Sequence, residues 1–394
     1  MAISSRVKSA LERSSWIRKM FEEGAQMKAR FGAENVFDFS LGNPNLDPPE
    51  AFRKVLRELL DEEPPGCHGY MPNAGFPEVR EAVAAYVSRE QAVQVDARHI
   101  LMTCGAGGAL NTVLRTILEP GDEVVVPRPY FVEYNFYLEN HGGTLKTVPT
   151  SGAFDLLMGP LDEAITPRTR AVLINSPNNP TGKVYSRENL QELRALLDRK
   201  ASELGRPVYL ISDEPYRKIV YDGVEVPPIL SMFPNAFVCT SYSKDLSLPG
   251  ERIGYIAVSP AMEDLDLVLA GLTFANRVLG YVNAPALMQR AVARLQGVTV
   301  DMEVYRRNRD LLYRGLVGAG YECPSPDGAF YLFPKSPIED DVAFVRELQK
   351  ENILAVPGTG FGGPGHFRLA YCCSHETVER SLPGFRRAIE RVRG

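Results

Sequence analysis

The chain has 394 residues and a formal net charge of −5, with 44 Lys+Arg against 49 Asp+Glu; it is long enough to bury more than one core. That balance leaves no electrostatic footprint for nucleic acid or an anionic membrane, and neither is expected as a partner. The 6 cysteines (Cys67, Cys104, Cys239, Cys323, Cys372, Cys373) are dispersed without metal-ligand or disulfide-framework spacing, so reduced thiols are expected, with the Cys372-Cys373 pair on opposite faces if it lies in a strand. The first ten residues hold no apolar signal segment and no run approaches membrane-spanning length, so a cytoplasmic location is expected.

In chain order, helical and strand patterns alternate, which is an α/β signature. Residues 76–88 place Val79, Val83, Tyr86 and Val87 at helical spacing. Residues 100–104 read as a strand that feeds the cluster Gly105-Ala106-Gly107-Gly108, with a helix expected from about Ala109. Short apolar runs at 123–126, 170–175, 208–212 and 237–240, bounded by Gly, Pro or Asn, read as central strands of a largely parallel sheet, and 253–258 as another. From Pro285 to about Leu316 the pattern is long-helical, and mixed elements follow. Three units are expected: 1–45 as an N-terminal arm and part of a small domain, 46–284 as a large domain, and 285–394 as a linker helix and the rest of the small domain.

Four clusters carry chemistry. The first is Ser241-Tyr242-Ser243-Lys244 with Arg252 eight residues on, directly after an apolar strand. A lysine among small hydroxyls can lose its proton and attack a carbonyl, while the hydroxyls and a guanidinium suit a phosphate. The glycine cluster offers backbone N–H groups to an anion. Leu110 stands where a dinucleotide fingerprint needs its third glycine, which argues against a nicotinamide cofactor. The turn Asn175-Ser176-Pro177-Asn178-Asn179-Pro180-Thr181-Gly182 and the segment Ser212-Asp213-Glu214-Pro215-Tyr216 both follow strands. A carboxylate buried at a strand end needs a cationic partner, unless it merely caps a helix.

In this order the clusters resemble the class I and II aminotransferases of the fold type I pyridoxal phosphate enzymes, over almost the whole chain. The resemblance implies an α/β large domain with a mostly parallel seven-stranded sheet covered by helices, and a smaller α/β domain from both chain ends. It implies pyridoxal 5'-phosphate as cofactor, Lys244 as the Schiff-base lysine, Asp213 on the pyridine nitrogen, and Tyr216 and Asn179 on the phenolic oxygen. Ser241, Ser243, Arg252 and the Gly105, Ala106 and Gly107 segment would hold the phosphate, and Phe131 would stack on the ring. Tyr70, in Gly69-Tyr70-Met71-Pro72, would reach the phosphate of a neighbouring subunit in a homodimer with shared sites.

Arg368, in Phe367-Arg368-Leu369-Ala370, would take the substrate α-carboxylate with Gly42 closing over it, and Phe330 and Tyr331 would line the pocket. The activity implied is ping-pong transfer of an amino group from an L-amino acid to a 2-oxo acid. The same residue set also serves carbon–sulfur β-lyases, which expel a leaving group from the β-carbon. Bacterial aspartate aminotransferases carry a lysine for the distal carboxylate where this chain has Gly107, so alanine, aromatic or other neutral donors are as plausible as dicarboxylates; Arg277 stays unassigned.

Overall fold

The computed structural model describes residues 2–13, 16–62 and 64–394. Among them, strand β1 (Phe37–Asp38) stands apart from the next seven, β2 (Ile100–Thr103), β3 (Glu123–Arg128), β4 (Thr144–Pro149), β5 (Thr169–Asn175), β6 (Tyr209–Asp213), β7 (Ala236–Ser241) and β8 (Gly254–Val258). These seven form one sheet in the order β2-β8-β7-β6-β5-β3-β4. Only β8 runs against the rest, pairing antiparallel with both β2 and β7. The expected central strands are all present, each within two residues of its expected ends. The edge strand β4 went unrecognised, because its residues TLKTVP, all but one exposed or half-exposed, lack a continuous apolar run.

The sheet is buried on both faces, which is why its strands read as unbroken apolar runs. Alternate residues feed two cores. Val124, Val126, Ile211, Phe237 and Cys239 pack against Leu110, Val113 and Leu114 of the helix Gly105–Ile117. Val125, Leu210 and Val238 face the other way, onto Val83, Val87, Leu193 and Leu197. Each such side chain contributes about 1.5–3 kcal/mol on burial, and a one-residue slip would exchange the two faces.

A third core holds Phe39, Tyr305, Leu312, Phe330, Phe344, Phe367 and Phe385. There β1 pairs in parallel with β10 (Ile353–Leu354), and a small sheet has the order β11 (Val356–Pro357), β12 (Phe367–Ala370), β9 (Tyr331–Leu332). The long-helical stretch is two helices, Ala286–Ala293 and Met302–Gly318, separated around Gly297, whose φ is +84°. The first was expected with the C-terminal part. Instead its Met288, Ala291 and Val292 pack on the large-domain core, while Val300 and Tyr305 open the third core, so the passage from one core to the other falls near 295–300.

Candidate active site

The helix after β2 begins at Gly105, four residues before its expected start at Ala109. The glycines are its first turn. Gly105 has a φ of +71°, and a Cβ there would stand 2.9 Å from Arg252 Nη2, so both the turn and the close approach require glycine. The unpaired N–H groups of this first turn face a region also bordered by Ser241, Ser243 and Arg252, a cradle suited to an anion. Arg252 itself has a φ of +52°, a costly backbone for a non-glycine residue, and its Nη1 is anchored on the Pro249 carbonyl at 2.9 Å.

Carboxyl ends of parallel strands meet at this cradle. From β5 comes Asn175, which donates to the Asp213 carbonyl at 2.8 Å and accepts from the Asn179 amide at 2.6 Å. From β6 comes Asp213. Tyr134 Oη donates to its Oδ2 at 2.5 Å, while Oδ1 is buried with no partner. Burial raises this carboxyl from an ordinary 3.8 to about 7, against the pull of the Tyr134 hydrogen bond. Among the described residues no cation pairs with it, and a protonated pyridine nitrogen would supply one.

Lys244 follows β7. Its Nζ donates to the Gly42 carbonyl at 2.7 Å and lies 5.6 Å from the Phe330 ring and 5.9 Å from the Tyr216 ring. Burial is the main cause that lowers its pKa to about 8; Cys372 opposes this, and Arg368 and Arg252 push the same way as burial. A fraction of the amine is therefore neutral near pH 7, as a nucleophile requires.

Arg368, on β12, is buried at 2% exposure. Its guanidinium lies between the rings of Tyr331 and Phe361, 4.7 and 4.6 Å from their centroids. Nη1 donates to Asn179 Oδ1 at 3.0 Å, Nη2 to the Ser40 carbonyl at 2.6 Å, and Nε is left unpaired. Among the described residues no carboxylate pairs with its buried charge, which suits it to an incoming one. Tyr216 and Tyr331 share a hydrogen bond of 2.8 Å between their hydroxyls, and burial keeps both phenols protonated.

One cavity of about 290 Å³ is lined by Gly42, Ala106, Gly107, Phe131, Asn179, Asp213, Tyr216, Ser241, Ser243, Lys244, Arg252 and Arg368. Three expected residues lie elsewhere. Gly105 sits behind Ala106 and shapes the helix turn. Phe330 is fully buried behind the wall, its ring 5.4 Å from that of Tyr216, and Tyr331 is the residue that lines the pocket. Phe330 lies in the turn just before β9 and packs wholly within the third core, whereas Tyr331, the first residue of β9, packs there and also borders the cavity. Tyr70, expected at the phosphate of a neighbouring subunit, is 93% exposed and does not line the cavity of its own chain.

Gly42 is required by close approach, since a Cβ there would fall 2.0 Å from Tyr331 Oη. Burial pushes the Cys372 thiol up to about 12, and the Cys373 thiol also up, so neither is reactive near neutral pH. Sequence reasoning missed Asn175, Tyr134, Tyr137 and Phe361. Tyr134 and Tyr137 follow Tyr130 at helical spacing after Pro129, and that was a signal for a face turned toward the strand ends.

A lysine of lowered basicity, a buried carboxylate oxygen without a partner and an anion cradle thus surround one cavity. They fit pyridoxal phosphate and define an α/β enzyme of that cofactor class. Comparison with known proteins agrees. The family described as Aminotransferase class I and II matches residues 34–383. The probable aspartate aminotransferase of Methanocaldococcus jannaschii is 32% identical over 389 residues, covering 96% of this chain and 98% of the relative. The aspartate/prephenate aminotransferase of Thermus thermophilus is 35% identical over 359 residues, covering 89% and 90%. The crystal structure of an aminotransferase from Eubacterium rectale superposes with a TM-score of 0.96 at 40% identity, covering 99% of each chain. The chain belongs to the class I and II aminotransferase family and is a pyridoxal phosphate-dependent transaminase.

Proposed function

We propose that this transaminase moves the amino group of an L-amino acid with one carboxylate and a neutral side chain to a 2-oxo acid, in a ping-pong cycle. The observation that carries this reading is the set of cations at the cavity. Among the described residues, Lys244, Arg252 and Arg368 are the cationic side chains that line it. Arg252 belongs to the phosphate cradle and Lys244 to the proton transfers, which leaves Arg368 for the α-carboxylate and no cation for a distal one.

When bound, pyridoxal phosphate supplies an electron sink for charge developing at the substrate Cα. The residues of the chain do the rest. Lys244 is the attachment point, and its Nζ, once free and neutral, accepts and returns the Cα proton. Asp213 Oδ1 would be the partner of a proton-bearing ring nitrogen, with Oδ2 fixed by Tyr134. The Tyr216 hydroxyl and the Asn179 amide, whose Oδ1 is engaged by Arg368, are the donors for the phenolic oxygen. Arg368 fixes the α-carboxylate through a rigid fork of donors. Phe131, Leu110 and Pro215 on the cavity wall exclude water.

The working unit is a homodimer with shared sites, in the cytoplasm. The exposure of Tyr70, together with that of Leu267, Phe274 and Val278 on the helix Leu265–Val278, supports a second copy against this face. No described helix is long and apolar enough to cross a membrane.

The relatives' names favour a second reading, a dicarboxylic donor such as aspartate. Its distal cation would come from outside the cavity of one chain; Arg277, exposed and stacked on Phe274, is then a candidate from the second copy. The test is the visible spectrum of the protein with pyridoxal phosphate, recorded with alanine, phenylalanine, aspartate or cystathionine and no oxo acid. Conversion to the pyridoxamine form with alanine or phenylalanine and not aspartate is expected. Conversion by aspartate alone overturns the neutral-donor reading. Pyruvate release from cystathionine without any conversion would make the enzyme a β-lyase.

A further inference from the structure

Tyr137 has no part in the roles above. It lies on the helix Glu133–Asn140 and lines the same cavity as Ala106, Gly107, Ser241, Ser243 and Arg252. Its hydroxyl stands over the first turn of the helix Gly105–Ile117, because a Cβ built on Gly107 would fall 3.1 Å from its Oη. Among the described residues no hydrogen bond engages that oxygen.

The groups whose charges act on Tyr137 place it along the cavity. They include Glu133, Asp213 at the end of β6, Tyr281, and Arg252 at the cradle. Burial holds the phenol far above its ordinary range, with Arg252 opposing, so it is a hydrogen-bond donor at any physiological pH. A protonated phenol over the first helix turn and in the same lining as the cationic cradle is suited to an anionic oxygen of the bound cofactor.

We propose that Tyr137 Oη donates a hydrogen bond to the cofactor phosphate, adding a ligand to the helix amides, Ser241, Ser243 and Arg252, and that position 107 is glycine to leave room for this phenol. The inference rests on the pyridoxal phosphate reading of the cavity and extends it to a residue to which the sequence reading gave no role. It also gives a physical reason for the missing lysine at 107: a side chain there would displace the hydroxyl from the anion.

The test is the dissociation constant of pyridoxal phosphate and of pyridoxal, which lacks the phosphate, for wild type and Tyr137→Phe, by equilibrium dialysis of the full-length protein. A hydrogen bond to a charged acceptor corresponds to a roughly 10- to 100-fold change in affinity. Tyr137→Phe should therefore weaken pyridoxal phosphate by about tenfold or more, leave pyridoxal unchanged, and shift the phosphorus NMR resonance of the bound cofactor. Equal weakening of both ligands would make Tyr137 a packing residue and overturn the proposal, as would no change in either.

A second variant tests the glycine. Gly107→Ala should weaken pyridoxal phosphate in the wild-type background and have little effect in Tyr137→Phe, where the nearest ring carbon is 3.8 Å from the new methyl group. An equal loss in both backgrounds overturns the claim about Gly107. Failure of the wild-type protein to bind pyridoxal phosphate at all would instead overturn the cofactor reading itself.

Discussion

Asp213→Asn in the cofactor-free protein is the sharpest test of the electrostatics. Asp213 is fully buried, has one oxygen without a partner, and titrates at about 7 instead of 3.8. Below about pH 4 the carboxyl is protonated in both the folded and unfolded chain, so burial costs nothing through ionisation. As pH rises from about 4 to about 7, the unfolded chain gives up this proton while the folded one keeps it. The folded state then binds more protons, and stability falls as pH rises. Above about 7 the full cost remains, roughly 3 pKa units at 1.36 kcal/mol each, or about 4 kcal/mol.

Asparagine keeps an acceptor for Tyr134 and removes the titration. Urea unfolding of the cofactor-free proteins at about pH 5 and about pH 8 should therefore show the variant gaining about 3 kcal/mol on wild type between the two conditions. The same variant should lose transamination, because a neutral amide cannot hold a proton on the ring nitrogen. Adding pyridoxal phosphate should close the stability gap by stabilising wild type, whose carboxylate then has its cation. A gap that does not change with pH would refute the argument that Asp213 is a carboxylate held without a partner until the cofactor arrives.

The other expectations concern the substrate and cofactor contacts. Lys244→Ala should lower kcat by at least about a thousandfold, within the range for loss of a positioned proton carrier and nucleophile, while pyridoxal phosphate still binds noncovalently; steady-state rates and dialysis check both. Arg368→Lys should lower kcat/KM for the amino donor by about 100-fold, because a point charge cannot match the donor fork seated between Tyr331 and Phe361. The rate at which pyridoxal phosphate attaches to the cofactor-free protein should rise with pH and reach half its maximum near 8, the lowered pKa of Lys244; a midpoint near the ordinary 10.5 would refute its activation by burial.

The sequence by itself determined a good deal. Unbroken apolar runs such as that of β3 could only be strands covered on both faces, and Lys244, Asp213, Asn179 and Arg252 stood at strand ends in an order that marked the cofactor. Local chemistry sets these features: backbone periodicity, turn residues, and the need of a buried charge for a partner. What the sequence did not show were contacts made by chain segments far apart in number. The Tyr134 hydroxyl reaches Asp213 from 79 residues away, and Arg368 reaches Asn179 across 189 and the Ser40 carbonyl across 328.

The choice between Phe330 and Tyr331 as the pocket residue was likewise tertiary. Both are aromatic and both are buried in the third core, and only the way that core meets the cavity decides which one also lines the pocket. The need for glycine at 105 was tertiary too, since it is the Arg252 guanidinium that leaves no room for a Cβ there. The neighbours of Lys244 in sequence make it the candidate reactive lysine, but its lowered pKa comes from burial and from Arg368 and Arg252 around one cavity. Strand placement follows from pattern along the chain, whereas the charge state of a side chain follows from everything that surrounds it in space.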